Sequence, residues 1–370
     1  MIINNLELTN FRLHRHTKIE FSNQLNYIVG GNGQGKTSLL EAIYYLCTSK
    51  NLNQSKDHEV VSFDETFFNV KGKFIDLINN NVEVIYSSKE NKKMLNLDKK
   101  NIKRASNLIG KFPVVTLTPS DHSITMGYPA DRRKFVDSVI SQASNTYLKI
   151  LIDYNKTLRQ RSALLYQIKE NSHPQLLDQL ETWTDSLIKL GSEIIDHRIK
   201  FIKTFSEYIK DSYKTIMNNT EVPSIEYKFL SENNSVNIQE TFKLELNNLR
   251  NQEIFRAKNL VGPHRDEFLF MINDLDLRKY GSQGQHKTFK IALRFGEFFF
   301  LQDTIGKTPI FLMDDVFGEL DAYRATKISE FMKKIGQAFI TLTDFSNFEH
   351  LTKGDDDLVI NIEKGQFLYA

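Results

Sequence analysis

Gly30-Gly31-Asn32-Gly33-Gln34-Gly35-Lys36-Thr37 fits the spacing G-x-x-x-x-G-K-[ST]. It follows the apolar run Leu25-Asn26-Tyr27-Ile28-Val29 and precedes a segment with Leu39, Leu40, Ile43, Tyr44 and Leu46 at helical spacing. A strand, a glycine-rich turn and a helix in that order form the context in which such a loop holds phosphates. Glycines let backbone N–H groups close round the β- and γ-phosphates, and the positive end of a helix over Lys36–Ser49 adds favourable potential. Lys36 would neutralise the transferred phosphoryl group, and Thr37 would offer its hydroxyl to Mg²⁺. The expected cradle is therefore Gly30, Gly31, Asn32, Gly33, Gln34, Gly35, Lys36 and Thr37, with ATP and Mg²⁺ as cofactors.

Working outward, Ile310-Phe311-Leu312-Met313 runs into Asp314-Asp315, with Glu319-Leu320-Asp321 just beyond. Apolar residues ending in carboxylates at a strand's C-terminal edge are the acidic counterpart of the phosphate loop. Asp314 would hold the Mg²⁺ shell, and Asp315 would orient or deprotonate the attacking water. Between these two motifs stands Ser282-Gln283-Gly284-Gln285, placed to open a helix. A serine hydroxyl and unpaired N–H groups under a helix dipole make a second phosphate grip, although the same tetrapeptide also reads as an ordinary N-cap.

The rest of the chain alternates between strand and helix. Strand-like alternation fills the first thirty residues and returns over residues 67–97, and Val114–Leu117 is a short buried strand. From Asp131 to about Asn218 the pattern is helical, with Leu176, Leu180, Trp183, Leu187, Leu190 and Ile194 in one stripe, continued by Ile199, Ile202, Phe205, Ile209, Tyr213 and Ile216. Two long helices meeting at Pro174 are expected, the second of roughly 65 Å at 1.5 Å per residue. Strands near 225–229, 268–272, 309–313 and 338–342 and helices near 237–258, 285–303 and 322–334 complete a β-α-β alternation. The predicted organisation is an α/β domain split between 1–125 and 251–370, with an all-helical arm, 126–250, inserted.

Bulk composition bounds the class. With 40% hydrophobic and 25% charged residues the chain reads as soluble and globular, and no apolar run is long enough for a membrane span. Met1–Leu6 lacks a basic stretch ahead of an apolar run, and a single cysteine, Cys47, in an apolar setting fits a reducing cytoplasm. The net charge of +2 says little, but eight Lys or Arg against two acids between Lys89 and Lys111 make a candidate phosphate-binding strip. Lys99, Lys100, Lys103 and Arg104 are its proposed DNA contacts.

The order of phosphate loop, helical insertion, Ser-x-Gly-Gln, Asp pair and Glu-Leu-Asp resembles the ABC-type heads of the Rad50 and structural-maintenance branch. Within it, the chain resembles the bacterial RecF family over essentially its whole length. The residues carrying this are Leu8-Thr9-Asn10-Phe11-Arg12, the phosphate loop with Leu40-Glu41-Ala42-Ile43-Tyr44, Arg132-Arg133-Lys134-Phe135-Val136-Asp137, Leu260-Val261-Gly262-Pro263-His264-Arg265-Asp266, Ser282–Gln285, and Asp314-Asp315 with Glu319-Leu320-Asp321.

The resemblance implies a slow, DNA-dependent ATPase without nuclease function, acting in the cytoplasm in recombinational repair, replication restart and the SOS response. ATP would bridge two subunits, with Ser282, Gln283, Gly284 and Gln285 gripping the nucleotide of the partner, Glu319 and Asp321 in the loop after the Asp pair, and Arg12 near the nucleotide. The homodimer would clamp double-stranded DNA and single-strand/double-strand junctions and help load RecA with RecR- and RecO-type partners. Two departures stand out: Thr48-Ser49-Lys50-Asn51-Leu52-Asn53 replaces a basic turn common in the family, and His286-Lys287 follows the Ser-x-Gly-Gln where Gln-Arg is usual. Thr341-Leu342-Thr343-Asp344 stands where transporters carry a switch histidine. A chromosome-tethering ATPase of the SMC or Rad50 kind is the rival reading, and it needs far longer coiled-coil arms.

Overall fold

The computed structural model describes residues 1–53, 55–171, 173–217, 221–230, 237–344, 354–363 and 365–369. In chain order the first elements are β1 (Ile2–Phe11), β2 (His14–Glu20), β3 (Leu25–Val29), α1 (Lys36–Thr48), β4 (Phe67–Ile75), β5 (Asn80–Ser87), β6 (Lys92–Leu97), β7 (Lys100–Asn101) and β8 (Val114–Leu117). There follow α2 (His122–Met126), α3 (Pro129–Ala143), α4 (Asn145–Glu170), α5 (Pro174–Met217), β9 (Pro223–Lys228), α6 (Ile238–Arg256), β10 (Glu267–Ile272), β11 (Leu275–Asp276), α7 (Leu277–Tyr280) and α8 (Gln283–Ile305). The chain closes with β12 (Ile310–Met313), α9 (Ala322–Met332), β13 (Ala338–Leu342), β14 (Leu358–Glu363) and β15 (Gln366–Tyr369). It divides into two compact units, residues 1–121 with 291–370, and residues 122–290.

The first unit packs α1 between two six-stranded sheets. One sheet, ordered β2-β1-β4-β5-β6-β7, is antiparallel throughout. Its strands alternate as a half-buried sheet must: Phe68, Val70 and Phe74 of β4 point into the core while Phe67 and Lys71 face out. The other sheet runs β15-β14-β3-β13-β12-β8, parallel except for β15. Its central strands β3, β12 and β13 are buried at every position, which is why they read as mostly apolar runs in the sequence, broken only by Asn26 and Thr341. With a sheet on either side, α1 buries most of its circumference, including Cys47, whose thiol burial pushes well above the usual range.

The strand order β3-β13-β12 sets up the chemistry. The phosphate loop leaves the C-terminal end of β3, the Asp pair leaves that of β12, and β13 ends between them. Crevices at the carboxyl ends of parallel strands are where such sheets bind ligands.

In the second unit α5 is 44 residues long and is opened by Pro174, whose fixed φ suits a first helical position. Leu180 and Leu187 of the expected stripe are buried, but Ile199 is exposed. Its neighbour Arg198 takes the inward position instead, paired with Asp137 (2.9 Å) and Asp266 (3.0 Å) and donating to Pro263 O at 2.8 Å. A second buried arginine, Arg161, binds Glu253 and the Asn259 side chain, each at 2.6 Å. Besides its helices this unit holds the antiparallel sheet β11-β10-β9, and it reaches Lys290, past residue 250 where the sequence pattern ends the arm. The reason is that β9 and β10 pack on α5 and α3, so the strands belong with the helices that cover them. Among the described residues no helix is long and apolar enough to cross a membrane.

Candidate nucleotide-binding site

Local backbone demands explain the glycines of the loop. A Cβ on Gly30 would lie 2.4 Å from the carbonyl oxygen of Ile362, so no larger residue fits against β14. Gly35, the N-cap of α1, sits at φ +103°, a region that residues with a Cβ avoid. Lys36 opens the helix, and its ammonium donates to Gly30 O (2.6 Å) and Gly31 O (2.9 Å). Burial pulls the Lys36 pKa below its ordinary value, while the charges of Asp315 and Asp314 oppose that shift. The cation is thus held against the backbone of the loop. Gly31, Asn32 and Gly33 are exposed at its rim.

The Asp pair meets this loop. Thr37 Oγ1 lies 2.9 and 3.0 Å from the two oxygens of Asp314. Thr341, at the end of β13, donates its hydroxyl to Asp314 Oδ1 (2.8 Å) and accepts from the Asp315 amide (2.8 Å). Asp315 has φ +49°, a left-handed conformation that aspartate tolerates better than most residues. Its side chain is exposed, beside the half-buried Asp314. One hydroxyl and one carboxylate within hydrogen-bond reach of each other are the hard oxygen donors that Mg²⁺ takes, so Thr37 and Asp314 fit the ion expected from the sequence. The sequence puts Thr341–Asp344 where transporters carry a switch histidine, but it does not give Thr341 a contact with the Asp pair. Nothing local marks that contact; only the strand order β3-β13-β12 brings Thr341 between the two motifs.

Ser282, Gln283, Gly284 and Gln285 lie in the second unit, at the start of α8. Ser282 Oγ accepts from the Gln285 amide (3.2 Å), and Gln285 Oε1 accepts from the Ser282 amide (2.8 Å). This reciprocal pair is a capping box, which presents the helix end at the surface with Ser282 and Gln283 exposed. Gln285 Nε2 also donates to Glu221 (2.7 Å), fixing the amide.

Other expected residues fall in differing settings. Arg12 is engaged with Glu41 of α1 through two hydrogen bonds (2.9 and 3.0 Å) and with Glu59 O (2.9 Å), contacts that brace the helix following the phosphate loop. Its pKa is raised, chiefly by the bond to Glu41. Asp321 caps α9 by accepting from the Arg324 amide, which holds its carboxyl below the ordinary range. Glu319 ends a short turn after the Asp pair, and its side chain lies outside those described. Lys99, Lys100, Lys103 and Arg104 are all exposed on and after the β6–β7 turn. Lys93 from the same strip is instead tied to Asp57 and to Ser49 O, both at 2.9 Å. Arg265 donates to Asn259 O (2.9 Å) and serves its own loop.

Comparison with known proteins agrees with this geometry. The family model described as RecF/RecN/SMC N terminal domain matches residues 2–355. The DNA replication and repair protein RecF of Chlorobium phaeobacteroides is 38% identical over 351 residues, covering 93% of this chain and 96% of that protein. The RecF of Acetivibrio thermocellus is 34% identical across the full length of both chains. A solved structure of the recombination mediator protein RecF with ATP, of the RecFOR pathway, superposes with a TM-score of 0.90 at 32% identity, covering 100% of this chain and 97% of that one. An Smc head from Pyrococcus furiosus superposes at 0.56 with 14% identity, a likeness of fold alone. The chain belongs to the RecF family of DNA replication and repair proteins.

Proposed function

We propose that this chain binds ATP at Gly30–Thr37, hydrolyses it slowly, and dimerises on ATP to clamp double-stranded DNA beside single-strand gaps. The hydrogen-bonded chain Thr37–Asp314–Thr341–Asp315 carries the reading, because it brings a phosphate cradle, a metal-binding carboxylate and a second exposed carboxylate to one strand edge. Lys36 holds the phosphates by charge, and the loop amides orient them. Mg²⁺, when bound by Thr37 and Asp314, supplies charge neutralisation at the phosphate oxygens. Asp315 accepts a hydrogen bond from the attacking water and takes its proton. A carboxylate on the short aspartate stem, against the glutamate usual in ABC ATPases, favours slow turnover and a long-lived ATP complex.

Completion of the site falls to a second copy: the capped N-terminus of α8 offers the Ser282 hydroxyl and backbone N–H groups to the γ-phosphate held by the partner. The exposed lysines of the β6–β7 turn give DNA its phosphate contacts. By family membership the clamp works in the cytoplasm with RecR- and RecO-type partners to help load RecA.

Sedimentation with and without Mg²⁺-ATP tests the reading. The wild-type chain should dimerise on ATP. Ser282→Arg should bind ATP with near-normal affinity yet stay monomeric, because a bulky cation replaces the hydroxyl at the joint. Dimerisation of Ser282→Arg on ATP would sink the proposed role of Ser282–Gln285.

A further inference from the structure

The phosphate loop is held from behind by residues far from its motif. A trans peptide is planar, so its C=O and N–H point in opposite directions, and fixing one aims the other. Gly365, in the turn between β14 and β15, donates its N–H to Gln34 O at 3.1 Å. That contact directs the Gly35 N–H away from the turn. His14, the first residue of β2, places Nε2 3.3 Å from Gly35 O, which also accepts the Leu39 N–H at 3.3 Å, and the two contacts together direct the Lys36 N–H the opposite way. Gly35 and Lys36 are the two amides at the helix entrance, where an anion is bound.

Three contacts fix the imidazole. Its ring stacks on Phe367 of β15 at 5.8 Å between centroids and 16° between planes, and the side chain is fully buried. Nδ1 faces Gly365 O (3.2 Å) and Thr17 Oγ1 (3.3 Å). Burial favours the neutral ring, which has a single N–H. Nδ1 faces one oxygen that can only accept, Gly365 O, and one that can also donate, the Thr17 hydroxyl; donation by Thr17 would place the ring N–H on Nε2, against Gly35.

We propose that His14, oriented by Thr17 and Phe367, is a positioning residue that aims the Lys36 amide into the phosphate cradle, so that nucleotide affinity depends on the C-terminal hairpin. This inference rests on the nucleotide-binding reading above. The amides involved serve every nucleotide held by the loop, so ATP and ADP are affected alike, whereas Asp315 and Ser282 act at the γ-phosphate.

Titration of the intact chain with fluorescent N-methylanthraniloyl ATP and ADP, beside thermal unfolding without nucleotide, tests it. His14→Phe keeps the stacked ring but has no N–H, and it should weaken both nucleotides about fivefold, the value of one hydrogen bond of about 1 kcal/mol. Thr17→Val, which never touches the loop, should weaken them in the same sense with an unchanged unfolding midpoint. His14→Gln, able to donate from the same side, should recover part of the loss. Unaltered affinity in His14→Phe overturns the inference. If that variant folds poorly, unaltered affinity in Thr17→Val overturns it instead. A wild-type chain that takes up neither nucleotide overturns the nucleotide reading together with the inference.

Discussion

The Thr37 hydroxyl sits between the two carboxylate oxygens of Asp314, at 2.9 and 3.0 Å, although the residues are 277 positions apart. Strand β13 lies between β3, which leads into the loop before Thr37, and β12, which leads into Asp314, and Thr341 near its end binds the same carboxylate. The site is therefore held by three consecutive strands of one sheet, and each hydroxyl contributes something that can be removed separately.

Thr341→Val is nearly isosteric but removes the proton given to Asp314 and the acceptor of the Asp315 amide. Both partners stay in place, so the penalty is that of unmade hydrogen bonds, on the order of 1–3 kcal/mol. ATP hydrolysis should fall about 10- to 100-fold with nucleotide affinity little changed, and Thr341→Ser should restore most of it. Steady-state ATPase assays beside equilibrium binding check this. Equal rates for Thr341→Val and wild type would show that Asp314 needs no such support.

Asp315→Asn keeps the side-chain size and the tolerance of φ +49° but loses the base. Turnover should drop by about 10²-fold or more, as expected when a general base is lost, and the ATP dimer should live longer. Single-turnover hydrolysis with sedimentation of the trapped complex reads both. Rapid turnover in this variant would mean that another group positions the water.

Charge reversal at Lys99, Lys100 and Lys103 removes three exposed cations on or near the β6–β7 turn. For each phosphate that is no longer neutralised, the slope of log K against log salt should fall by about 0.9. DNA binding should weaken uniformly across sequences, measured by anisotropy over a salt series. An unchanged slope would leave these lysines as solvated surface. Lys93→Met should instead affect stability, since that lysine is tied to Asp57 and Ser49.

His264 gives the second unit a pH signature. Burial pushes its pKa down to about 4, with Nδ1 bonded to the Tyr154 hydroxyl at 2.7 Å and Nε2 facing Asn259 O. An unfolded histidine titrates near 6.5, so between about 6.5 and 4 the unfolded chain binds a proton that the folded one refuses. The contribution is present in full above about 6.5 and is lost as pH falls toward 4, on the order of 3 kcal/mol in all. Urea unfolding from pH 7.5 to 4.5 should show this decline, and His264→Gln should flatten it. Equal slopes for the two proteins would place the acid sensitivity elsewhere.

Much of the molecule was legible in residue order alone. Strands β8 and β13 and helix α1 fall where the apolar pattern places them, because buried parallel strands and a helix packed on both sides are mostly apolar. The phosphate loop and the Asp pair were legible for another reason: their chemistry needs particular residues at fixed spacing. By contrast, the hairpin β14–β15 went unread, since its pattern is short and its role is to back Gly30 and Gln34.

The sequence by itself determined the family, the phosphate loop and the acidic pair, since each is written within a few consecutive residues. Tertiary structure decided what the other motif residues do. In Gly262-Pro263-His264-Arg265-Asp266, the run most telling of family, Pro263 and Asp266 hold the buried Arg198, and His264 holds Tyr154. Arg12 turned to Glu41, and Thr341 to Asp314. A lone polar residue has no local preference that names its partner. Only the packing of strands and helices distant in sequence chooses which charge it neutralises and which hydrogen bond it completes.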